Sequence, residues 1–348
     1  MFVSFHVFAE VCEEPSQAHV IVSAPMNRQN AVQILKWVVS IAILWLLFVS
    51  FDFPVLAKSV ANAKPGLVML AIAIGFFNIC LSVVRWSASL SVQGIRAPFQ
   101  VLLSSTLVSG FLGFLLPAFG EDAVRGYDLY KFDTGANKRG VNIAASILFE
   151  RLCGLLGHVI TGGIALALLH HRIANRTIVR AALVLYACIV VALLIVFSHS
   201  LSRWFVALLR SFPPLKAVAE KVESLTEAIY LYKHDVGAWT RVLGLSFVFQ
   251  FSGFLYFFVI AKALSIDVAF STFVLLVPIV TILSLVPISI GGLGVKEGLF
   301  VVLFAQLGVS QESAFLTSVV GSALYLLFVL LGGLVFLVRK RPQQEAIT

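Results

Sequence analysis

Long apolar runs separated by short polar segments dominate the pattern of this chain. An apolar run of 18 or more residues is typical of a membrane-spanning helix, because about 20 residues cover the hydrocarbon core of a bilayer. Such runs lie at about residues 33–51, 66–90, 141–169, 179–197, 242–263 and 314–338. The pattern predicts an all-α polytopic membrane protein with about six full spans.

Two further apolar regions are interrupted by proline and glycine. The first break reads LPAFGEDAVRG (116–126) and the second reads LVPISIGGLGVKEG (285–298). The residues that interrupt them are Pro117, Gly120, Pro287, Gly291, Gly292 and Gly294. Proline removes a backbone donor and glycine weakens helical order. Because lipid does not tolerate exposed irregular backbone, each break is predicted to be buried in protein or to line a wet cavity, as substrate sites of transporters do.

The two breaks resemble each other. In the order of the chain, Pro117, Gly120, Val124 and Arg125 correspond to Pro287, Gly291, Val295 and Lys296, with one additional residue in the second copy. We interpret this as a weak internal repeat with halves at about residues 33–170 and 177–338. Chance is the alternative, since glycine and proline are common in membrane helices.

The repeat has a consequence for topology. If both broken regions are re-entrant and enter from opposite faces, six segments span the membrane, both termini are cytoplasmic and the two halves are inverted copies. Nine plain crossings with the N-terminus outside are the alternative. The 25 Lys and Arg residues satisfy the positive-inside rule almost equally well in both topologies. We prefer the re-entrant arrangement because residues 294–308 are short for a span.

Composition narrows the function classes. The chain has 348 residues, of which 60% are hydrophobic and 12% are charged, with a formal net charge of +8. This composition excludes an ordinary soluble domain, and the positive excess is expected in cytoplasmic loops near anionic lipid headgroups. No basic stripe with interleaved aromatics indicates a nucleic-acid partner. The four cysteines have no CxxC spacing, so we predict neither a metal site nor another cofactor.

Glu150 and Arg151 are the first candidate functional residues. They lie about ten residues into an apolar run, which places them roughly 15 Å deep and near the midplane. Ionisable groups there are rare and are either functional or paired within the protein. We expect Glu150 to meet Arg125 or Lys296, and Arg151 to meet Asp122 or Glu297. A buried ion-pair network that only fixes helix packing is the alternative.

The segments that follow the two breaks supply the other candidates. New helices are predicted to start near Glu121 and Gly294, and a helix N-terminus suits phosphate. Capping of the helix by a carboxylate is the alternative role for the acidic residues. The predicted substrate-binding residues are Glu121, Asp122, Arg125, Glu150, Arg151, Lys296 and Glu297. No nucleophile elbow, HExxH or P-loop motif occurs, so we predict no catalytic residue and favour a protein that is not an enzyme.

Three sequence blocks carry a family resemblance. LPAFGEDAVRGYDLY (116–130), SILFERL (146–152) and VPISIGGLGVKEGLF (286–300) resemble the lysylphosphatidylglycerol synthase transmembrane family, also called flippase-like or AglD-related. The resemblance covers roughly residues 33–338. It implies a flippase-like domain at residues 31–339, between tails at 1–30 and 340–348. Members that carry a soluble aminoacyltransferase domain make and flip lysyl-phosphatidylglycerol, and we expect that domain to be missing here.

The residues and the resemblance together predict a multi-pass protein of the bacterial inner membrane that moves a phospholipid or polyprenyl-linked lipid between leaflets. Its expected partners are these lipids, and a homo-oligomer is compatible with the sequence. One alternative is a membrane module that assists a lipid-modifying aminoacyl or glycosyl transferase. Another is a membrane-embedded lipid synthase, such as a phosphatidylglycerol lysyltransferase.

The start of the chain gives a testable expectation. Met26 begins MNRQNAVQILKW, which resembles an ordinary inner-membrane start, whereas residues 1–25 lack the basic and long apolar segments of a signal peptide. A variant that begins at Met26 should insert into membranes and function like the full chain. Loss of insertion or of function on removal of residues 1–25 would contradict this expectation.

Overall fold

The computed structural model describes residues 45, 58–115, 121–132, 140–173, 175–212, 216–230, 232, 235–284 and 294–339. These residues contain no strand and form the following α-helices: α1 Pro65–Val92, α2 Phe99–Leu115, α3 Glu121–Phe132, α4 Gly140–Leu169, α5 Arg176–Phe197, α6 His199–Arg210, α7 Lys216–Tyr230, α8 Val236–Ala263, α9 Phe270–Ser284, α10 Val295–Ala305 and α11 Gln311–Val338. A short 3-10 helix, His170–Arg172, follows α4.

Five helices in the described part of the chain are long and apolar enough to cross a membrane. They are α1, α4, α5, α8 and α11, and each corresponds to a predicted span. The all-α polytopic fold is therefore confirmed. Apart from Trp45, the predicted span at 33–51 lies outside the described residues, as do both predicted tails and the break residues Pro117, Gly120, Pro287, Gly291 and Gly292.

Helices α2 and α3 form an antiparallel pair around the first break. A Cβ on Gly113, near the end of α2, would meet Glu121 at the start of α3 at 3.0 Å. Farther from the break, the hydroxyl of Ser105 in α2 donates to the carbonyl oxygen of Arg125 in α3 at 3.2 Å. The start of α2 and the end of α3 therefore lie at the same end of the molecule.

Arg339, directly after α11, contacts both α2 and α3 at this end of the molecule. Its guanidinium donates to Asp128 Oδ2 of α3 at 2.7 Å and to Ser104 Oγ of α2 at 3.2 Å. The hydrogen bond with Asp128 raises the pKa of Arg339 above its usual value. The last span therefore ends beside the outer ends of the first helix pair.

Helices α9 and α10 form the second antiparallel pair. The rings of Phe273, early in α9, and Phe304, late in α10, have centroids 5.3 Å apart. The segments 264–269 and 307–310, which precede α9 and follow α10, line one cavity of about 920 Å³. Because the outer ends of α9 and α10 meet in this way, the second pair also begins and ends on one side.

The outer ends of the two pairs lie at opposite ends of α1. The Lys64 N–H, just before α1, donates to the carbonyl oxygen of Ala263 at the end of α8, at 2.9 Å. The start of α1 therefore lies on the side where α9 begins. Helix α2 follows the other end of the 28-residue helix α1. This geometry favours re-entrant pairs over plain crossings, and the boundaries of the two repeat halves stay a prediction.

The polar segment after α5 contains two helices. Leu215, Val218, Val222, Leu225 and Ile229 recur at helical spacing, which predicts a helix at 215–232 that lies against the headgroups or is an ordinary amphipathic loop helix. Helix α7 matches the predicted position, whereas α6 before it was not predicted. They are joined by a 2.8 Å hydrogen bond between Ser202 and Thr226 and by an Arg210–Glu223 ion pair. Ile229, predicted to face the headgroups, is buried in the main core. Leu201, Trp204 and Leu208 of α6 are exposed, as is Tyr230 at the end of α7.

Close packing of α11 against α2 gives a prediction for stability. A Cβ on Gly332 would collide with the backbone carbonyl of Leu107, so Gly332→Ala must separate the two helices. We expect a loss of about 1–3 kcal/mol, as in other overpacked interiors. It would be measured as a lower melting temperature in detergent. Gly244→Ala on α8 is the matched control, because nothing lies within 4 Å of its Cβ. Equal melting temperatures of Gly332→Ala and Gly244→Ala would contradict the close packing of α11 against α2.

Candidate functional site

Glu150 is the centre of a buried ion-pair network formed by α1, α3 and α4. Its Oε1 accepts a 2.8 Å hydrogen bond from Arg85 Nη2, and its Oε2 accepts a 3.0 Å bond from Arg125 Nη2. The Glu150 side chain is only 2% exposed. The predicted Glu150–Arg125 pair is therefore present. Arg85 is not among the residues predicted from the sequence, although an arginine inside the apolar run 66–90 is a signal of the same kind as Glu150 in its own run.

Aromatic side chains cover the two arginines of this network. The guanidinium of Arg125 lies 4.5 Å from the ring centroid of Trp86, and that of Arg85 lies 4.7 Å from the ring centroid of Phe249. Trp86 in turn donates from Nε1 to Ser146 Oγ on α4 at 3.2 Å. Cation–π contacts and shared carboxylate bonds offset part of the cost of burying these charges. We therefore regard Arg85, Arg125 and Glu150 as one structural unit.

Arg151 makes a separate pair with Asp122. Its Nε donates to Asp122 Oδ2 at 3.0 Å and its Nη2 donates to Oδ1 at 2.8 Å, which is a bidentate arrangement. Asp122 also lies 3.4 Å from Arg125 Nη2 and so connects the pair to the buried network. In contrast to Glu150, the Arg151 side chain is 41% exposed. The predicted Arg151–Asp122 pair is therefore present, and part of Arg151 is accessible.

The charged residues of the second break are arranged differently. Glu297 Oε2 accepts from the Gly294 N–H at 2.6 Å, and its Oε1 accepts from Ser322 of α11 at 2.7 Å. Gly294 has φ +82°, a backbone conformation that suits glycine. Glu297 thus caps α10 and is not the partner of Arg151. Lys296 does not pair with Glu150 either: its Nζ lies 3.9 Å from Glu297 Oε1.

A cavity of about 370 Å³ brings residues of both broken regions together. Glu121, the first residue of α3, Arg151 of α4 and Lys296, the second residue of α10, all line it. Helices α1, α2, α8 and α11 supply the rest of its wall, including Asn78, Thr106, Gly253, Tyr256 and Tyr325. The 920 Å³ cavity at the outer ends of α9 and α10 is larger, but no Lys or Arg is among its described lining residues. We therefore take the smaller cavity as the candidate site.

Two polar atoms of the wall have no partner within the described structure. They are the Oγ1 of Thr106 and the Oδ1 of Asn78. Buried polar groups in proteins are nearly always hydrogen-bonded, to water where no protein group is available. The cavity is thus suited to a polar ligand or to water. Of the residues that interrupt the two breaks only Gly294 is described, so the prediction that the breaks line a wet cavity stays a prediction.

The structure divides the predicted substrate-binding residues into two groups. Glu121, Arg151 and Lys296 line the cavity. Arg125, Glu150 and Glu297 are buried in protein contacts, while Asp122 holds Arg151. Direct substrate contact by the second group stays a prediction, and their contacts indicate a role in positioning the first. Among the described residues, no group of three His, Cys, Asp or Glu side chains could hold a metal ion.

A comparison with protein-family models shows the family of this chain. The family model described as "Lysylphosphatidylglycerol synthase TM region" matches residues 33–333. The chain belongs to this family. The match includes both broken regions, the buried network and every residue of the cavity wall named above. A comparison with curated proteins found no significant match.

The buried network of this family member gives a prediction for stability. Glu150→Gln keeps the shape of the side chain but leaves Arg85 and Arg125 without the carboxylate between them. Breaking a buried pair in this way costs about 3–5 kcal/mol, so we expect a clearly lower melting temperature in detergent. Glu121→Gln is the matched control, because Glu121 faces the cavity and should melt near the wild type. A wild-type melting temperature for Glu150→Gln would contradict a structural role.

Proposed function

We propose that this protein moves a phospholipid or a polyprenyl-linked lipid between the leaflets of the bacterial inner membrane. One observation supports this most directly: the cavity is lined by spanning helices and by ionisable residues from both broken regions. Buried ionisable groups and interrupted helices are the usual features of a transporter substrate site. Family membership supports the same proposal.

The cavity chemistry suits a lipid headgroup. Arg151 and Lys296 offer positive charge and Glu121 offers negative charge, while Tyr256, Phe257 and Phe328 supply apolar wall. A ligand with a polar, charged head and apolar chains matches this division. The sequence contains no P-loop motif, and we therefore propose transport that is facilitated or coupled to an ion.

The buried ion pairs give the site its rigidity in this proposal. Arg125 connects α3 to Glu150 of α4, and Asp122 fixes the guanidinium of Arg151. Side chains held in this way keep their charge oriented toward the cavity without reorganisation when a ligand enters. Arg85, Arg125, Glu150 and Asp122 are thus positioning residues, whereas Arg151 is proposed to touch the lipid.

Transport by the purified protein in liposomes tests the proposal. Arg151→Lys keeps the charge but cannot reproduce the bidentate bond with Asp122, so we expect the flipping rate to fall about tenfold or more. Arg210→Lys is the matched control, because Arg210 pairs with Glu223 outside the cavity. Full activity of a folded Arg151→Lys protein would contradict contact between Arg151 and the lipid.

The same preparation separates the alternatives. If the wild type flips no lipid from a panel of headgroups, the transport proposal fails. Turnover of a labelled lipid precursor by the protein alone would then indicate a synthase. Activity that appears only with an added transferase would indicate a membrane module that assists that enzyme.

A further inference from the structure

The corresponding cations of the two breaks have different surroundings. Arg125 and Lys296 correspond to each other in the predicted sequence repeat. Arg125 is buried, bonds to Glu150 and lies against Trp86. Lys296 has a side chain that is 26% exposed, and it lines the cavity. The same position in the two halves therefore has a structural cation in one and an accessible cation in the other.

The charge of Lys296 is also weakly balanced by the protein. Its nearest carboxylate oxygen in the described structure is Glu297 Oε1 at 3.9 Å, beyond the distance of a good charge-assisted hydrogen bond. That oxygen already accepts the Ser322 hydroxyl, and the other oxygen accepts the Gly294 N–H. Arg151, in contrast, is held by two short bonds to Asp122. Of the two cations in the cavity wall, Lys296 is the one more available to an anion.

Thr106 gives an independent indication of a polar ligand in the same cavity. It is 9% exposed, its Oγ1 has no partner within the described residues, and it lines the cavity with Lys296. A hydroxyl can donate to a phosphate oxygen, and leaving a buried hydroxyl unpaired is unfavourable. A ligand that presents several acceptor oxygens would satisfy both Thr106 and Lys296.

We propose that Lys296 is the residue that binds the phosphate of the transported lipid, with Thr106 as an additional donor, and that Arg125 serves structure alone. This inference rests on the proposed function and assigns the phosphate to one side chain. The proposed contact is made by the lysine side chain, and the Gly294 N–H at the start of α10 already donates to Glu297. Glu121 lines the same cavity and repels a phosphate, so the phosphate lies toward Lys296 and away from α3.

Two lipid classes offer the same chemistry. A glycerophospholipid carries a phosphodiester, and a polyprenyl-linked lipid carries a phosphate or diphosphate. The test therefore uses liposomes with three labelled lipids: phosphatidylglycerol, a polyprenyl phosphate, and a glucosyl diacylglycerol that contains no phosphate. Purified full-length protein is compared with Lys296→Gln, Lys296→Arg and Thr106→Val. Lys262→Gln is the matched control, since Lys262 pairs with Asp267 away from the cavity.

We expect Lys296→Gln to slow the flipping of the phosphate lipid that the wild type transports by about tenfold or more. Lys296→Arg should restore much of the rate, and Thr106→Val should cause a smaller loss. Any flipping of the glucosyl lipid should be unchanged. The inference is overturned if Lys296→Gln matches the wild type, or if it slows the glucosyl lipid equally.

Native mass spectrometry keeps this inference separate from the transport proposal. The number of phosphatidylglycerol or polyprenyl phosphate molecules retained by the wild type is compared with the number retained by Lys296→Gln. If the wild type flips no lipid but loses bound phosphate lipid on Lys296→Gln, the phosphate site stands and the transport proposal fails. If retention is the same in both proteins, the assignment of Lys296 is wrong.

Discussion

The cost of charge in hydrocarbon is the constraint on which this structure depends. Glu150 lies deep in a spanning helix, where an unpaired carboxylate would be strongly unfavourable. Arg85 of α1 and Arg125 of α3 satisfy both of its oxygens. This single carboxylate therefore joins two spanning helices to one broken region. The position of α3, which follows the first break, depends on the need to pair Glu150.

The backbone is subject to the same constraint as the side chains. An interrupted helix exposes donors and acceptors that lipid cannot satisfy. In this protein α2–α3 and α9–α10 fold back as antiparallel pairs and pack among the spanning helices, with their outer ends at opposite ends of α1. Glu297 caps α10 by accepting the Gly294 N–H. The starts of the two returning helices thereby reach one cavity.

The corresponding cations of the two breaks, Arg125 and Lys296, have different partners. Arg125 has Glu150 as a counter-ion across the helix interface, so its charge is neutralised by a contact within the protein. Among the described residues, the carboxylate nearest Lys296 is that of its sequence neighbour Glu297, which already accepts from Ser322. The helix after the first break thus carries a fixed ion pair, and the helix after the second carries a cation that lines the cavity.

The sequence by itself determined the five described spans, the two interrupted regions and the need of Glu150 and Arg151 for partners within the protein. These features follow from hydrophobic length and from the cost of isolated charge, which are both local properties. The sequence left Arg125 or Lys296 open for Glu150, and Asp122 or Glu297 open for Arg151, and the structure chose Arg125 and Asp122. Tertiary structure alone decided that Arg85 is the second partner of Glu150, that Glu297 caps its own helix, and that Lys296 faces the cavity. It also showed that the polar segment forms two helices, α6 and α7. These outcomes depend on which faces of distant helices meet, and a one-dimensional pattern of apolar and charged residues does not specify those contacts.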